Sequence, residues 1–297
     1  MFESIGKGWR LFKETFAILS REKSLILYPV ISGIIILLIL GLLFIPLLFI
    51  SGTTGINPEN MGITGYVIWI LVLFVIFLVV SFVSSFFKAG IVFNATEVIK
   101  GNDPAFKDGI NAALSKTGSL FVWALIAATV GIVLSLLRES DNPLGRMVTE
   151  ILVGIAGAVW NLVTFFVIPV MIFEDKAPFP SIKESWELFK KTWGETVIAG
   201  FSFGIVFIPA FLLMAASFLS VIVAPFEVFA GMIALTIIVF ALTSVIVSAL
   251  QGILVALLYH YAKTGEISSL VERELIEGAF VEKKTNKKTG EFIPGQI

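Results

Sequence analysis

The chain has 297 residues, of which 57% are hydrophobic and only 14% charged, with a net charge of −1 and a mean hydropathy of +0.98. Soluble domains carry about 25% charged residues, so this composition specifies an integral membrane protein and excludes a global basic field for nucleic acid. The absence of cysteine excludes disulfides, thiolate catalysis, iron–sulfur clusters and Cys-ligated zinc, and a single histidine, His260, leaves too few imidazoles for a His-rich metal site.

The chain opens on an amphipathic segment, unlike the basic-then-apolar pattern of a cleavable signal peptide. Ile5, Trp9, Phe12 and Phe16 recur at i, i+4, i+7 and i+11, one stripe of a helix with Lys and Glu on the other faces. A first span follows at about 25–50, with Pro29 in its opening turns and Pro46 predicting a kink. After a polar loop at 51–64, a second span runs from near Tyr66 to Phe87, and its helical pattern continues past Lys88 to Lys100, where Gly101 stops it. About 20 residues cross the hydrocarbon core, so this helix is expected to emerge from the membrane.

A weaker copy of the opening stripe follows, at Phe106, Ile110, Ala113 and Thr117. Asp103-Pro104 offers it an N-cap and a proline at the first helical position, and Gly118 a stop. A third span occupies 119–137 and a fourth about 147–173. The fourth carries a small-residue patch at Gly154, Gly157 and Ala158, of the kind that lets helices approach closely in lipid, and Pro169 predicts a second kink. A Pro-Phe-Pro turn leads into the strongest copy, with Ile182, Trp186, Phe189 and Trp193 on the stripe and Ser181/Glu184 as a capping box. This copy repeats the first at Ser4/Ser181, Ile5/Ile182, Trp9/Trp186, Leu11/Leu188, Phe12/Phe189, Lys13/Lys190 and Thr15/Thr192. A fifth span is expected at 196–224, with Pro209 inside it. After the turn at 225–227, a sixth runs from 228 to about 262 and ends in Tyr259-His260-Tyr261. The tail from 266 is polar.

Each amphipathic segment bears Trp or Phe on one side and precedes apolar spans, the pattern of a helix lying in the headgroup interface. Trp9, Phe12, Phe16, Trp186, Phe189 and Trp193 are the expected interfacial anchors. The fold class is therefore all-α, six spans in three units: residues 1–101, 102–176 and 177–265, followed by the tail at 266–297. Nineteen of the 21 Lys and Arg residues fall on one side of these spans, with Arg138 and Arg146 alone on the other. The positive-inside rule then places both termini in the cytoplasm of a cell-membrane protein, with the three units running parallel.

Between these boundaries no span centre carries Asp, Glu, Lys, Arg or His. That argues against a proton-coupled transporter and an intramembrane protease, both of which need ionisable groups there. No cofactor or catalytic residue is expected, and the chain reads as no enzyme. Asn161, Gln251 and His260 are the candidate intramembrane polar contacts. The first two read as interhelical hydrogen-bond partners and the third as an interface anchor.

Several local patterns together resemble an uncharacterised family of multi-pass proteins of archaea and bacteria. They are Gly8-Trp9 with the run from Lys23 to Pro29, Phe93-Asn94 with Gly101 and Pro104, Pro169 with Glu174, Ser185-Trp186 with Trp193-Gly194-Glu195, and Gly278-Ala279-Phe280. More distantly, the architecture is similar to six-span domains attached to some glycerophosphodiesterases. The resemblance implies a fold and brings no catalytic residues.

Two functions remain. The first is a self-associating, non-enzymatic scaffold or passive pore; the second is a transporter or lipid-handling protein for a neutral or amphipathic substrate. Membrane lipids are partners in both. A homo-oligomer is expected from length: residues 228–258 form about 46 Å of apolar helix against a hydrocarbon core of about 30 Å, so part of that surface should be covered by protein, from its own chain or from a neighbour. An enclosed polar cavity within one protomer would favour the transporter.

Overall fold

The computed structural model describes residues 13, 15–54, 62–137, 143–192, 206–223 and 225–265. Among these residues every regular element is helical. A short helical stretch at 15–21 and a 3₁₀ turn, Lys23–Ile26, lead into α1 (Leu27–Thr54). There follow α2 (Ile63–Ile99), α3 (Phe106–Ser115), α4 (Thr117–Leu136), α5 (Pro143–Val163), α6 (Val167–Phe173), α7 (Pro178–Thr192), α8 (Ile208–Val223) and α9 (Phe226–Thr264). Among the described residues five segments are long and apolar enough to cross a membrane: Lys23–Leu43, Val67–Ile99, Thr117–Leu136, Met147–Phe173 and Phe226–Thr264. α8 is apolar but shorter. The expected fifth span begins at 196, and residues 196–205 lie outside the described residues, as do Trp9, Phe12, Trp193 and the tail from 266.

The helix stops follow backbone chemistry. Gly101 adopts φ +89° just after α2, and Gly265 φ +70° just after α9, the left-handed conformation that glycine takes without strain. The Gly265 N–H donates to the Tyr261 carbonyl at 2.8 Å. The α3 start is shifted from its expected place. Its N-cap is Ala105, because the Asp108 carboxylate accepts the Ala105 N–H at 2.9 Å, and Asp103-Pro104 precedes the helix. Gly118 does not stop it; α3 ends at Ser115 and Gly118 falls inside α4.

The expected capping box at Ser181 is also absent. α7 begins three residues earlier, at Pro178, where the missing N–H has no intrahelical partner to lose. The Pro-Phe-Pro segment is thus a first turn of helix. Ser181 lies inside it, and its hydroxyl donates to the Ala177 carbonyl at 2.9 Å.

The fourth span is broken, though one turn before Pro169. α5 ends at Val163 and α6 starts at Val167. A helical proline cannot donate to the carbonyl four residues back and its ring crowds that group, which here belongs to Phe165, inside the break. The Phe166 N–H freed by the break donates to Ser185 Oγ of α7 at 2.9 Å. Pro46, by contrast, sits within α1 without ending it.

α7 packs on the protein through a face that only partly overlaps the expected interfacial stripe. Ser181, Ser185, Leu188 and Phe189 are buried, while Trp186 is 37% exposed. Small serines on the inner face let α7 approach α6 closely enough to cap the break. Of the expected anchors, Phe189 therefore belongs to the core. Trp186 stacks on its outer edge, ring centroids 5.9 Å apart, with Lys190 Nζ over the indole. In the first copy Thr15 is buried and Phe16 is 47% exposed.

Packing is concentrated at the end of the bundle where the charged residues lie. Leu25 and Tyr28, the α2 run from Ile91 to Ile99, Phe166 and Val170, and the α9 run from Ala249 to Tyr259 form one core. A smaller cluster joins Ala89, Ala113, Leu120, Trp123, Val167 and Met171. The charged-end half of α9 is thus covered within a single chain.

Candidate functional site

Four helices, α1, α2, α3 and α9, converge at this end through close approaches that admit no side chain. A Cβ on Gly252 of α9 would sit 2.7 Å from Ile91 Cγ2 of α2. A Cβ on Gly90 would lie 2.5 Å from the Tyr28 ring, and one on Gly109 of α3 only 2.5 Å from the Gly90 carbonyl oxygen. Tyr28 closes the junction by donating its hydroxyl to the Phe106 carbonyl at 2.8 Å.

Beside these contacts lies a cleft of about 150 Å³ between α1, α2 and α9, far larger than the roughly 10–15 Å³ that seats one water. α1 contributes Tyr28, Pro29 and Ser32; α2 contributes Ser84, Phe87, Lys88 and Ile91; α9 contributes Ser248, Gln251 and Gly252. Ser84 and Lys88 are four residues apart and Ser248 and Gln251 three, so each pair shares one helix face. Ser84, Lys88, Ser248 and Gln251 are exposed, and Ser32 is buried. The result is a polar slot, open at its rim, in otherwise apolar helices.

The depth of the slot follows from the antiparallel neighbours α2 and α4. Phe82 and Phe121 pair at 5.9 Å, and Phe77 lies 3.5 Å from where a Gly131 Cβ would be. Lys88 is six residues, about 9 Å, beyond Phe82 towards the charged end, and Thr117, where α4 begins, is about 6 Å beyond Phe121. Lys88 therefore stands near the level at which α4 starts, and α4, 20 residues long, matches a hydrocarbon core of about 30 Å. Ser84 reaches about one turn deeper, and Ser248, four residues before the Gly252–Ile91 contact, stands near the level of Lys88.

Among the described residues no carboxylate forms an ion pair with Lys88. Several other cations at this end are paired with carboxylates. Lys263, in the last turn of α9, pairs with Glu174 at 2.7 Å and Glu184 at 2.8 Å, and Lys176 pairs with the same two at 2.8 and 3.2 Å. Tyr259 donates its hydroxyl to Glu174 at 2.9 Å, and Lys116 pairs with Asp175. Burial pushes the Glu174 carboxyl up, but its hydrogen bonds from Lys176, Lys263 and Tyr259 outweigh this and hold it below the usual range. The hydrogen bond from Lys263 is the main cause that holds Glu184 below it too. This network ties the start of α7 to the end of α9 and makes structure rather than a reactive site.

A wider groove of about 610 Å³ runs between the end of α2 and α3. Two of its acidic groups are already engaged: Glu97 holds Lys100 and Asn102, and Asp108 caps α3. Among the described residues no group of acidic or histidine side chains is arranged to hold a metal ion.

Of the polar residues singled out in the sequence, only Gln251 lines the cleft. His260 is about two and a half turns further along α9, half-buried and outside the lining. Asn161 is exposed on α5, away from the cleft. Lys88, Ser32, Ser84 and Ser248 were missed. The signal lies in the paired spacings of Ser84/Lys88 and Ser248/Gln251, but in the sequence Lys88 reads as one of the charges beyond the span.

Neither a curated protein nor a solved structure matches the chain. Residues 67–269 match the model of a family of unknown function, DUF6159. The matched region opens inside α2 and closes just past α9, so it contains every α2 and α9 residue of the cleft and leaves α1 outside. With about two thirds of its length matched, the chain belongs to the DUF6159 family of unknown function.

Proposed function

We propose that this protein is a non-enzymatic, lipid-binding protein of the cell membrane, and that the cleft between α1, α2 and α9 receives the polar head of an amphipathic molecule. The observation that carries this reading is the polar slot at the hydrocarbon boundary, open at its rim where Ser84, Lys88, Ser248 and Gln251 are exposed. The tail would lie along α9, whose next turns on the same face carry Phe240 and Ala241, both exposed. With both termini in the cytoplasm, as the Lys and Arg distribution favours, the slot faces the inner leaflet. The three parallel units remain part of this reading, since the helical stretch at 15–21, α3 and α7 each precede apolar helices.

The test is lipid retention by the full chain in native mass spectrometry. Replacing Ser84, Ser248 and Gln251 together by Leu should remove the retained lipid while leaving the melting temperature near wild type. Retention unchanged in that variant would refute the reading.

Self-association into a scaffold or pore is the second reading, and one observation favours it. Gly154, Ala158 and Asn161 are exposed on α5, with Gly157 beside them, at spacings that share one face. Among the described residues the Asn161 amide has no hydrogen-bond partner, and an amide facing hydrocarbon is costly unless a second copy satisfies it. A single 32.4 kDa species across protein concentrations in nanodiscs would exclude this reading.

A further inference from the structure

We infer that the cleft selects the phosphate of an anionic phospholipid, with Lys88 as its counter-charge; this rests on the lipid-binding reading above. The argument is one of charge matching. Lys88 stands near the hydrocarbon boundary, where an ammonium without a partner is costly, and no described carboxylate neutralises it. The polar groups of the lining that remain to donate are the Ser32, Ser84 and Ser248 hydroxyls and the Gln251 amide, since the Tyr28 hydroxyl is committed to the Phe106 carbonyl. These can donate to phosphate oxygens and leave the negative charge to Lys88.

The same inventory discriminates between headgroups. A zwitterionic lipid brings its own ammonium, which here would meet Lys88 with no carboxylate in the lining to hold it. An anionic lipid with an uncharged, hydroxyl-bearing head brings no such conflict, and its hydroxyls suit the serines and the Gln251 amide. Basic pockets between spans on the cytoplasmic side are a general means of holding anionic headgroups. Here the basic group is a single lysine, so the selectivity should hang on one side chain.

The full chain is placed in nanodiscs of phosphatidylcholine mixed with phosphatidylglycerol, and the lipids that stay bound on release are counted by native mass spectrometry. Phosphatidylglycerol should be enriched over its share of the bilayer. Lys88→Gln should reduce that enrichment about tenfold, the scale of one charge-assisted hydrogen bond, and Lys88→Arg should restore most of it. Lys88 is exposed, so both variants should melt as wild type does. Inorganic phosphate at millimolar concentration should not displace the lipid; displacement, or phosphate binding without lipid preference, would mean that the site takes the free anion and would overturn the inference. Equal enrichment in wild type and Lys88→Gln would also overturn it. If both lipids are held equally and both are lost in the Ser84/Ser248/Gln251 leucine variant, the lipid-binding reading survives and this selectivity does not. If that variant loses neither, both fail.

Discussion

The two halves of α9 belong to different environments. From Val247 to Tyr259 nearly every residue is buried against α1, α2 and α6; from Phe226 to Ile246 Thr236 alone is buried. α2 shows the same division, with no residue buried from Val67 to Val80 and most buried from Ser85 to Ile99. In α9 both halves are predominantly apolar in sequence. What separates them is the supply of small residues and polar caps. At the charged end Gly90, Gly109, Gly252 and Ser185 let helices meet and satisfy the groups this exposes. Far from it, Gly154 and Gly231 have nothing within 4 Å of where a Cβ would lie. Lipid is as apolar as leucine, so hydrophobicity alone gives spans no reason to pack.

Truncating the same residue type in each half sharpens this contrast most. Leu254→Ala, at a buried site, should cost about 2–5 kcal/mol, whereas Leu242→Ala, 60% exposed, should cost under about 0.5 kcal/mol. Thermal unfolding in mild detergent reads both, and similar losses would erase the distinction. Next comes overpacking. Gly109→Ala forces a methyl into the Gly90 carbonyl and should destabilise by about 1–3 kcal/mol. Gly231→Ala, in open space within α9, should be neutral or stabilise by about 0.5–1 kcal/mol.

Acid should loosen the charged end selectively. Glu174 and Glu184 ionise more readily in the fold than at the ordinary carboxylate value of 4.5. Their contribution is therefore complete above about pH 4.5 and is lost as the pH falls through their lower folded values. Because both are partly exposed, the loss should not exceed about 1 kcal/mol. Glu174→Gln should flatten the dependence of melting temperature on pH in that acidic window; an unchanged slope would remove the network from the account. A similarly small effect is expected from the far half's buried polar contact between α8 and α9. There Ser217 and Thr236 join α8 to α9 through a buried hydroxyl contact at 2.9 Å. Thr236→Val should cost about 0.6 kcal/mol, typical of such bonds in membranes.

Much of the architecture was legible because apolar length and glycine stops are local properties. The continuity of α2 through Lys88 to Gly101 and the extent of α4 follow from them directly. Helix starts were less legible. Ser181 and Asp103 have the chemistry of caps, but Pro178 and Asp108 compete for the same role and prevail. The face that α7 turns to the protein was not legible, because its bulky stripe reads as a face for lipid and its serines carry no apolar signal. Here Ser181 and Ser185 face inward since closeness to α6, not volume, decides the contact. The cleft is a non-local object. Its residues come from three helices more than 50 positions apart, brought into register by the Gly252–Ile91 and Gly90–Tyr28 approaches.

α9 has a mechanical consequence. It is one unbroken rod of 39 residues, gripped where Gly252 meets Ile91. From that grip the rod extends about 39 Å to Phe226 and about 16 Å to Lys263. A lever with those arms multiplies motion at its free tip by more than two relative to its held end. A change of tilt about that contact would move Phe226 more than twice as far as Lys263. Gly252 also forms part of the cleft wall, so the cleft sits at the fulcrum, the one point along α9 that a change of tilt leaves in place.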